Sequence, residues 1–317
     1  MRRRILITGA TSGLGFEAAR LFAAKGASHI VVSGRTSDRA VDSSSRLAAE
    51  TGSTVFEPLA LDLSQPDSVA TASSVLAERG DPFDVVLLNA GMIPGNEQTI
   101  TDHGVEIAFA SSLVGHHQLA ISLLENGLIA EEGRIIIAGS EAARGDVPMM
   151  SLTELDVLAN RSYDGDLRSA AEAMIRGQAP QPYKPFNTYG NAKVFVAWWA
   201  AALARRTPSS VAVNAVSPGA APHTDAGRNS GVVLRRVMLP VMRSMPDFFG
   251  MGAATSVAAQ RYVEASEFDL RVTGRFFASP PKKMTGPLCE MDYGHLQNHA
   301  FQEAAWEATV NVSGVSF

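Results

Sequence analysis

Tyr189 and Lys193 stand four residues apart in Asn187-Thr188-Tyr189-Gly190-Asn191-Ala192-Lys193, which runs directly into the apolar stretch Val194-Phe195-Val196-Ala197-Trp198-Trp199. The pattern predicts the first turns of a long helix, on which residues at this spacing share a face. An ammonium held beside a phenol is an acid/base pair. A tyrosine has a pKa of about 10, so bringing it to neutrality means stabilising the phenolate by roughly 4 kcal/mol, about what one nearby cation supplies at an effective dielectric of ~20. The same spacing also arises on helices that do no chemistry, so the pair draws its weight from the elements around it.

Those elements alternate between apolar runs of strand length and helical patterns from the N-terminus onward, which predicts a parallel sheet with helices on its faces, a doubly wound α/β fold. Residues 4–8 read as a first strand. Gly9-Ala10-Thr11-Ser12-Gly13-Leu14-Gly15 follows as a glycine-rich turn into a helix carrying Phe16, Ala19, Leu21, Phe22 and Ala23. Glycines there permit close backbone approach, and the unpaired N–H groups of the helix start suit a pyrophosphate. A second strand at 30–33 ends in Gly34-Arg35, where a carboxylate would hold a ribose 2′-hydroxyl and an arginine a 2′-phosphate. Arg35 points to NADP(H); Asp38, also readable as a helix cap, leaves NAD(H) open.

A third strand at 55–61 closes on Asp62-Leu63-Ser64, with Asp62 readable as a crevice residue or as a cap for a helix near Pro66. A fourth at 85–88 closes on Asn89-Ala90-Gly91. A helix over 103–126 contains Ser112, Gly115, His116 and His117. Adjacent histidines on a helix diverge, so they make a poor metal pair and read as one packing and one solvated position. No metal is expected. The apolar run 134–140 is a fifth, central strand ending in Ser140, which is either a turn cap or a site residue. A sixth strand spans 211–216, followed by Pro218-Gly219.

Composition sets the limits. With 317 residues, 46% of them hydrophobic and 19% charged, the chain can bury a substantial core. A net charge of −5 without a long basic block gives no footprint for nucleic acid. Arg2-Arg3-Arg4 precedes too short an apolar run for a membrane span, and a cytoplasmic location is expected. Cys289 is the sole cysteine, which excludes an internal disulfide and a cysteine-rich zinc site.

Taken together, Thr8-Gly9 with Gly13-Leu14-Gly15, Asp62-Leu63, Asn89-Ala90-Gly91, Tyr189 with Lys193, and Asn214-Ala215-Val216-Ser217-Pro218-Gly219 resemble, in order and spacing, the classical branch of the short-chain dehydrogenase/reductase family. The resemblance covers most of residues 4–280. Within the family, Gly274-Arg275-Phe276-Phe277 and a late helix around Trp306 are most similar to retinol-dehydrogenase and protochlorophyllide-reductase-like members.

This resemblance implies a Rossmann-fold domain over 1–280, with a substrate-covering segment at 220–255 and a tail at 281–317 packed on the same domain. It implies cofactor contacts at Gly9, Thr11, Ser12, Gly13, Leu14, Gly15, Arg35, Asp62, Leu63, Asn89, Ala90, Gly91, Tyr189, Lys193, Pro218 and Gly219. Tyr189 would be the acid/base, Lys193 would lower its pKa and bond the nicotinamide ribose, and Ser140 would orient the substrate oxygen. Ser112 occupies the slot where the family carries an asparagine that helps hold a water beside the lysine. A homodimer or homotetramer through the helices of Ser112 and Tyr189 is also implied. The interval 141–186 reads as a surface insertion with a charged helical patch at 166–176. The apolar residues between Val232 and Phe249 suit a bulky lipophilic carbonyl or alcohol. Carbon–carbon double-bond reduction, or a catalytically silent cofactor-binding sensor, are the competing readings.

Overall fold

The computed structural model describes residues 3–220 and 254–317. The apolar segment from Val232 to Phe249 lies outside the described residues, as does most of the 220–255 covering segment.

Among the described residues one sheet of eight strands organises the fold, in the order β3-β2-β1-β4-β5-β6-β7-β8. Its strands are β1 (Arg4–Ile7), β2 (His29–Gly34), β3 (Phe56–Ala60), β4 (Phe83–Leu88), β5 (Ile129–Ala138), β6 (Ala212–Val216), β7 (Phe276–Ala278) and β8 (Cys289–Glu290). All pair in parallel except β8, which runs antiparallel on β7 and was not anticipated from the sequence. The central strands are buried on both faces, which is why they read as unbroken Val/Ile/Leu runs rather than alternating ones. Strand order reverses between β1 and β4, and this switch point opens the crevice in which doubly wound sheets bind ligands.

On one face lie α1 (Gly13–Ala24), α2 (Ser37–Thr51) and α8 (Thr255–Ala265). On the other lie α3 (Pro66–Arg79), α4 (Ile107–Glu125) and α7 (Pro185–Arg206). Two inserted helices, α5 (Leu155–Ser162) and α6 (Leu167–Ile175), and two C-terminal ones, α9 (Gly294–Gln297) and α10 (His299–Ser313), add a further layer over α4 and α7. Ala170, Ala171, Met174 and Ile175 of α6 are buried against it, so the insertion is structural wall rather than surface decoration.

This extra layer explains two differences from the sequence reading. His116 and His117 are both fully buried, because α4 is covered on its sheet side and again on its outer side by α10. The expected solvated position does not exist. Trp198 and Trp199 are likewise inside the subunit, Trp198 donating Nε1–H to the His295 carbonyl at 2.7 Å. Among the described residues α4 alone is long and apolar enough to cross a membrane, but that apolarity is spent inside the core.

Within α4, residues Ala110–Val114 form a π-helical turn. Such single turns occur mainly at functional sites, and this one contains Ser112.

Candidate active site

The crevice at the carboxyl ends of β1, β2, β3 and β4 has a volume of about 270 Å³ and is lined by Gly9, Thr11, Ser12, Gly13, Leu14, Arg35, Asp62, Leu63, Asn89, Ala90 and Gly91. Gly9 and Gly13 have φ of +66° and +59°, a left-handed backbone that side-chain-bearing residues rarely adopt. Gly15 is needed for a different reason. A Cβ there would sit 2.5 Å from the Gly9 carbonyl oxygen and 2.6 Å from Asn89 Nδ2, so only glycine lets α1 start against the turn. Asn89 Nδ2 in turn donates to the carbonyls of Thr8 (3.0 Å) and Gly9 (3.2 Å), tying the end of β4 to the turn. The helix start and this tight cradle fit the phosphates of a dinucleotide.

At the far end of the crevice Arg35 is joined by Arg39, which sequence reasoning missed. The spacing held the signal: Arg39 lies one turn after Arg35 where α2 begins. The cap of α2 is Thr36, whose hydroxyl accepts from Arg39 N, so Asp38 neither caps the helix nor lines the crevice. Asp62 accepts from Ser64 N (3.0 Å) and Ser64 Oγ (2.7 Å), and Gln65 takes the position before α3, so Asp62 is a turn-former at the crevice wall.

Ser140 follows β5 and Tyr189 stands in the second turn of α7, near enough for the Ser140 hydroxyl to favour the phenolate. Ser140 Oγ also accepts from Ala142 N at 3.2 Å, so the cap role and the pairing coexist. Lys193, buried, reaches from the same helix face as Tyr189. Its Nζ lies 5.8 Å from the Tyr189 ring centroid and donates to the Ala138 carbonyl at 2.8 Å. Burial pushes Lys193 down to about 8. Burial also raises Tyr189, against the pull of the Ser140 hydroxyl, and the negative charge of Glu141 raises it further. Burial is the largest of these influences, so the phenol stands above its ordinary value in this arrangement.

Ser112 is buried beside Lys193. A Cβ built on Gly91 would lie 2.9 Å from Ser112 Oγ and 3.3 Å from Lys193 Nζ, so the three converge on one small space. Ser112 Oγ has no hydrogen-bond partner there. Pro218 and Gly219 follow β6, and Gly219, with φ of +82°, packs against Arg261 and the Met284 carbonyl.

Behind Ser140, a short 3-10 turn over Glu141–Arg144 anchors the end of β5. Buried Glu141 accepts from Ser217 Oγ and from Ser279 Oγ (2.9 Å), and pairs with Arg261 at 3.4 Å. Arg144 donates to the carbonyls of Ser279, Pro280 and Lys283. These bonds cross-link the ends of β5, β6 and β7 beneath the Ser140–Tyr189 pair.

The family model for the short chain dehydrogenases matches residues 3–152. A probable oxidoreductase of Streptomyces antibioticus is 31% identical, over 96% of this chain and 95% of its own length. The chain belongs to the short-chain dehydrogenase family, a family of oxidoreductases. Its fold is also that of L-sorbose reductase from Gluconobacter frateurii, solved with NADPH and L-sorbose (TM-score 0.64, 19% identity, 90% of this chain and 97% of that one). A short-chain dehydrogenase from Sphingobium yanoikuyae, solved with NADPH, aligns with a TM-score of 0.54 at 22% identity over 83% of each chain.

Proposed function

We propose that the protein transfers a hydride between NADP(H) and a carbonyl or secondary alcohol, with NAD(H) as the poorer cofactor. The observation that carries this reading is the convergence of Ser140 and Tyr189, with Lys193 on the same helix face, beside a crevice whose far end carries two arginines. The bound nicotinamide would supply or accept the hydride. Glycines 9, 13 and 15, with the start of α1, would hold the pyrophosphate, and Arg35 with Arg39 the 2′-phosphate.

In the reducing direction, Ser140 orients the substrate oxygen and the Tyr189 phenol gives it a proton. Lys193 bonds the nicotinamide ribose, and its charge stabilises the phenolate left behind. A substrate oxygen taking up part of the Ser140 bond leaves Tyr189 more dependent on that charge. The substrate class we infer from residues 232–249, whose predominantly apolar side chains suit a bulky lipophilic compound of the kind handled by retinol-dehydrogenase-like members.

A panel of ketones, aldehydes and secondary alcohols assayed with both cofactors, followed by nicotinamide absorbance, tests the reading. Turnover rising with the apolar bulk of the carbonyl compound is expected. A nicotinamide that binds while no member of the panel turns over would overturn it in favour of a silent cofactor-binding protein, the reading that Ser112 in the asparagine slot supports.

A further inference from the structure

His116 belongs to no part of the machinery above, yet both of its ring nitrogens are engaged inside the core. Nε2 lies 2.9 Å from Thr8 Oγ1, and Nδ1 lies 3.1 Å from the Ser112 carbonyl oxygen. Thr8 Oγ1 already accepts the Ala90 N–H at 3.0 Å, which frees its own proton for His116. A carbonyl can only accept, so the assignment is determined by its neighbours: Nδ1 carries the proton toward Ser112, and Nε2 accepts from Thr8. Burial holds His116 neutral, pushing it down to about 3, against the Ser112 bond and with the Lys193 charge adding to the fall. A neutral ring is the one form that can donate at one nitrogen and accept at the other.

The chain Ala90 N–H, Thr8 hydroxyl, His116 imidazole, Ser112 carbonyl thus runs from the end of β4, across β1, into the π-helical turn. An ordinary α-helix leaves an interior carbonyl to a backbone N–H one turn on. In a π-turn that ladder is displaced, and here a side chain four residues on reaches the carbonyl as well. The orientation of residue 112 is fixed by it. On the same residue, the hydroxyl faces the space beside Lys193 that a Cβ on Gly91 would fill, with no protein partner of its own. A polar atom left unpaired in so confined a place is costly unless water or a reacting group meets it.

We infer that His116 is a positioning residue for proton transfer: by clamping the Ser112 carbonyl from the Thr8 side, it holds Ser112 Oγ against Gly91 beside the Lys193 ammonium. The hydroxyl placed there is the polar neighbour that steadies Lys193 as Tyr189 gives up its proton. Thr8 also braces the end of β4 through Ala90, so the clamp ties residue 112 to the strand ends rather than to the helix alone. This inference rests on the acid/base roles proposed for Tyr189 and Lys193, and its test has one arm that needs no turnover.

Nitrogen-15 spectra of selectively labelled wild-type protein should give the Nδ1–H tautomer for His116; the Nε2–H tautomer would overturn the clamp whether or not a substrate is known. With a carbonyl compound that the wild type reduces, His116→Leu should lower kcat by about tenfold to a hundredfold, the range for a misplaced catalytic group. Cofactor affinity should stay within about twofold of wild type. His116→Gln, which keeps a donor and an acceptor, should recover most of the loss and its pH profile. Should the leucine variant not fold, Thr8→Val breaks the same chain from its other end, with Thr8→Ser as its rescue. An unchanged kcat in the apolar variant, or a glutamine variant no better than it, would sink the proposal. Absence of any turnover in the wild type would sink the proposed activity instead, leaving the tautomer to decide the clamp.

Discussion

Trp199 donates its indole N–H to Nδ1 of His117 at 3.0 Å, and His117 passes the connection on by donating Nε2–H to the Val315 carbonyl at 2.9 Å. Three distant pieces of chain, α7, α4 and the C-terminal tail, are thereby joined, with Trp306 edge-on to the same imidazole at 5.2 Å. The latch lies on the face through which the sequence resemblance implies a dimer. With that face covered, light scattering should return the mass of one chain. A dimer whose hydrogen-exchange protection maps to α4 and α7 would refute this. Trp199→Phe keeps the packing but loses the donor, and should cost about 1 kcal/mol of stability in denaturant unfolding.

Tyr189→Phe retains the ring and removes the transferable proton. Turnover should fall by about a hundredfold or more, as expected when a general acid is lost, while NADPH still binds within a few-fold of wild type. Near-normal turnover would remove Tyr189 from the mechanism.

Arg35 and Arg39 both line the adenosine end of the crevice. Replacing either by alanine should weaken NADPH by roughly tenfold, about the 1.5–3 kcal/mol of a hydrogen bond to a charged group, and leave NADH almost unaffected. Fluorescence titration with the two cofactors reads this directly. An unchanged preference in both variants, or tighter NADH binding by the wild type, would show the assignment to be wrong.

Glu106 gives a pH signature. It is almost wholly buried, its Oε2 accepts from Ala108 N (2.8 Å) and Phe109 N (3.2 Å) at the start of α4, and its Oε1 has no partner. Burial raises it from 4.5 to about 7 despite those two bonds. A raised carboxyl favours folding in its protonated form, so its contribution is fully present below pH 4.5 and lost as pH rises through about 7. The amount at stake is about 3 kcal/mol. His117, depressed to about 4, and His116 act in the opposite sense, stabilising above their ordinary value of 6.5 and failing in acid. The wild-type curve mixes these slopes, but comparison with Glu106→Gln cancels the histidines. The glutamine variant should gain on wild type between pH 5 and pH 8 by about that amount. A constant difference across the range would contradict the burial argument.

Much of the crevice was legible in the sequence because it depends on local backbone chemistry. Gly9, Gly13 and Gly15 are required by φ and by close approach, and Asn89-Ala90-Gly91 by the turn it must make; each leaves its mark in consecutive residues. The Tyr189–Lys193 spacing was legible for the same reason. What the sequence concealed depends on pieces of chain far apart. The burial of His117 follows from a tail nearly two hundred residues later, and the direction of the Tyr189 shift from how much of the fold packs around the phenol. Arg39 carries a local signal, its helical spacing from Arg35, but it lies inside the helix that follows, beyond the strand end where a phosphate partner is expected.

The π-helical turn at Ala110–Val114 fits one more residue into the rise of an ordinary turn, and one residue is about 100° of rotation. The two halves of α4 are therefore out of phase: an apolar stripe counted from Ile107 at the usual period no longer marks the buried side beyond Val114. Excising a single residue there would restore continuous winding and, by the helix's own bonds, an untroubled ladder. It would also swing everything on one side of the cut round by that angle relative to the other, so that Glu106 and His116 could not both keep their places and Ser112 would be carried off Lys193. The irregularity works as a frame shift in three dimensions, and the site exists only in the shifted frame.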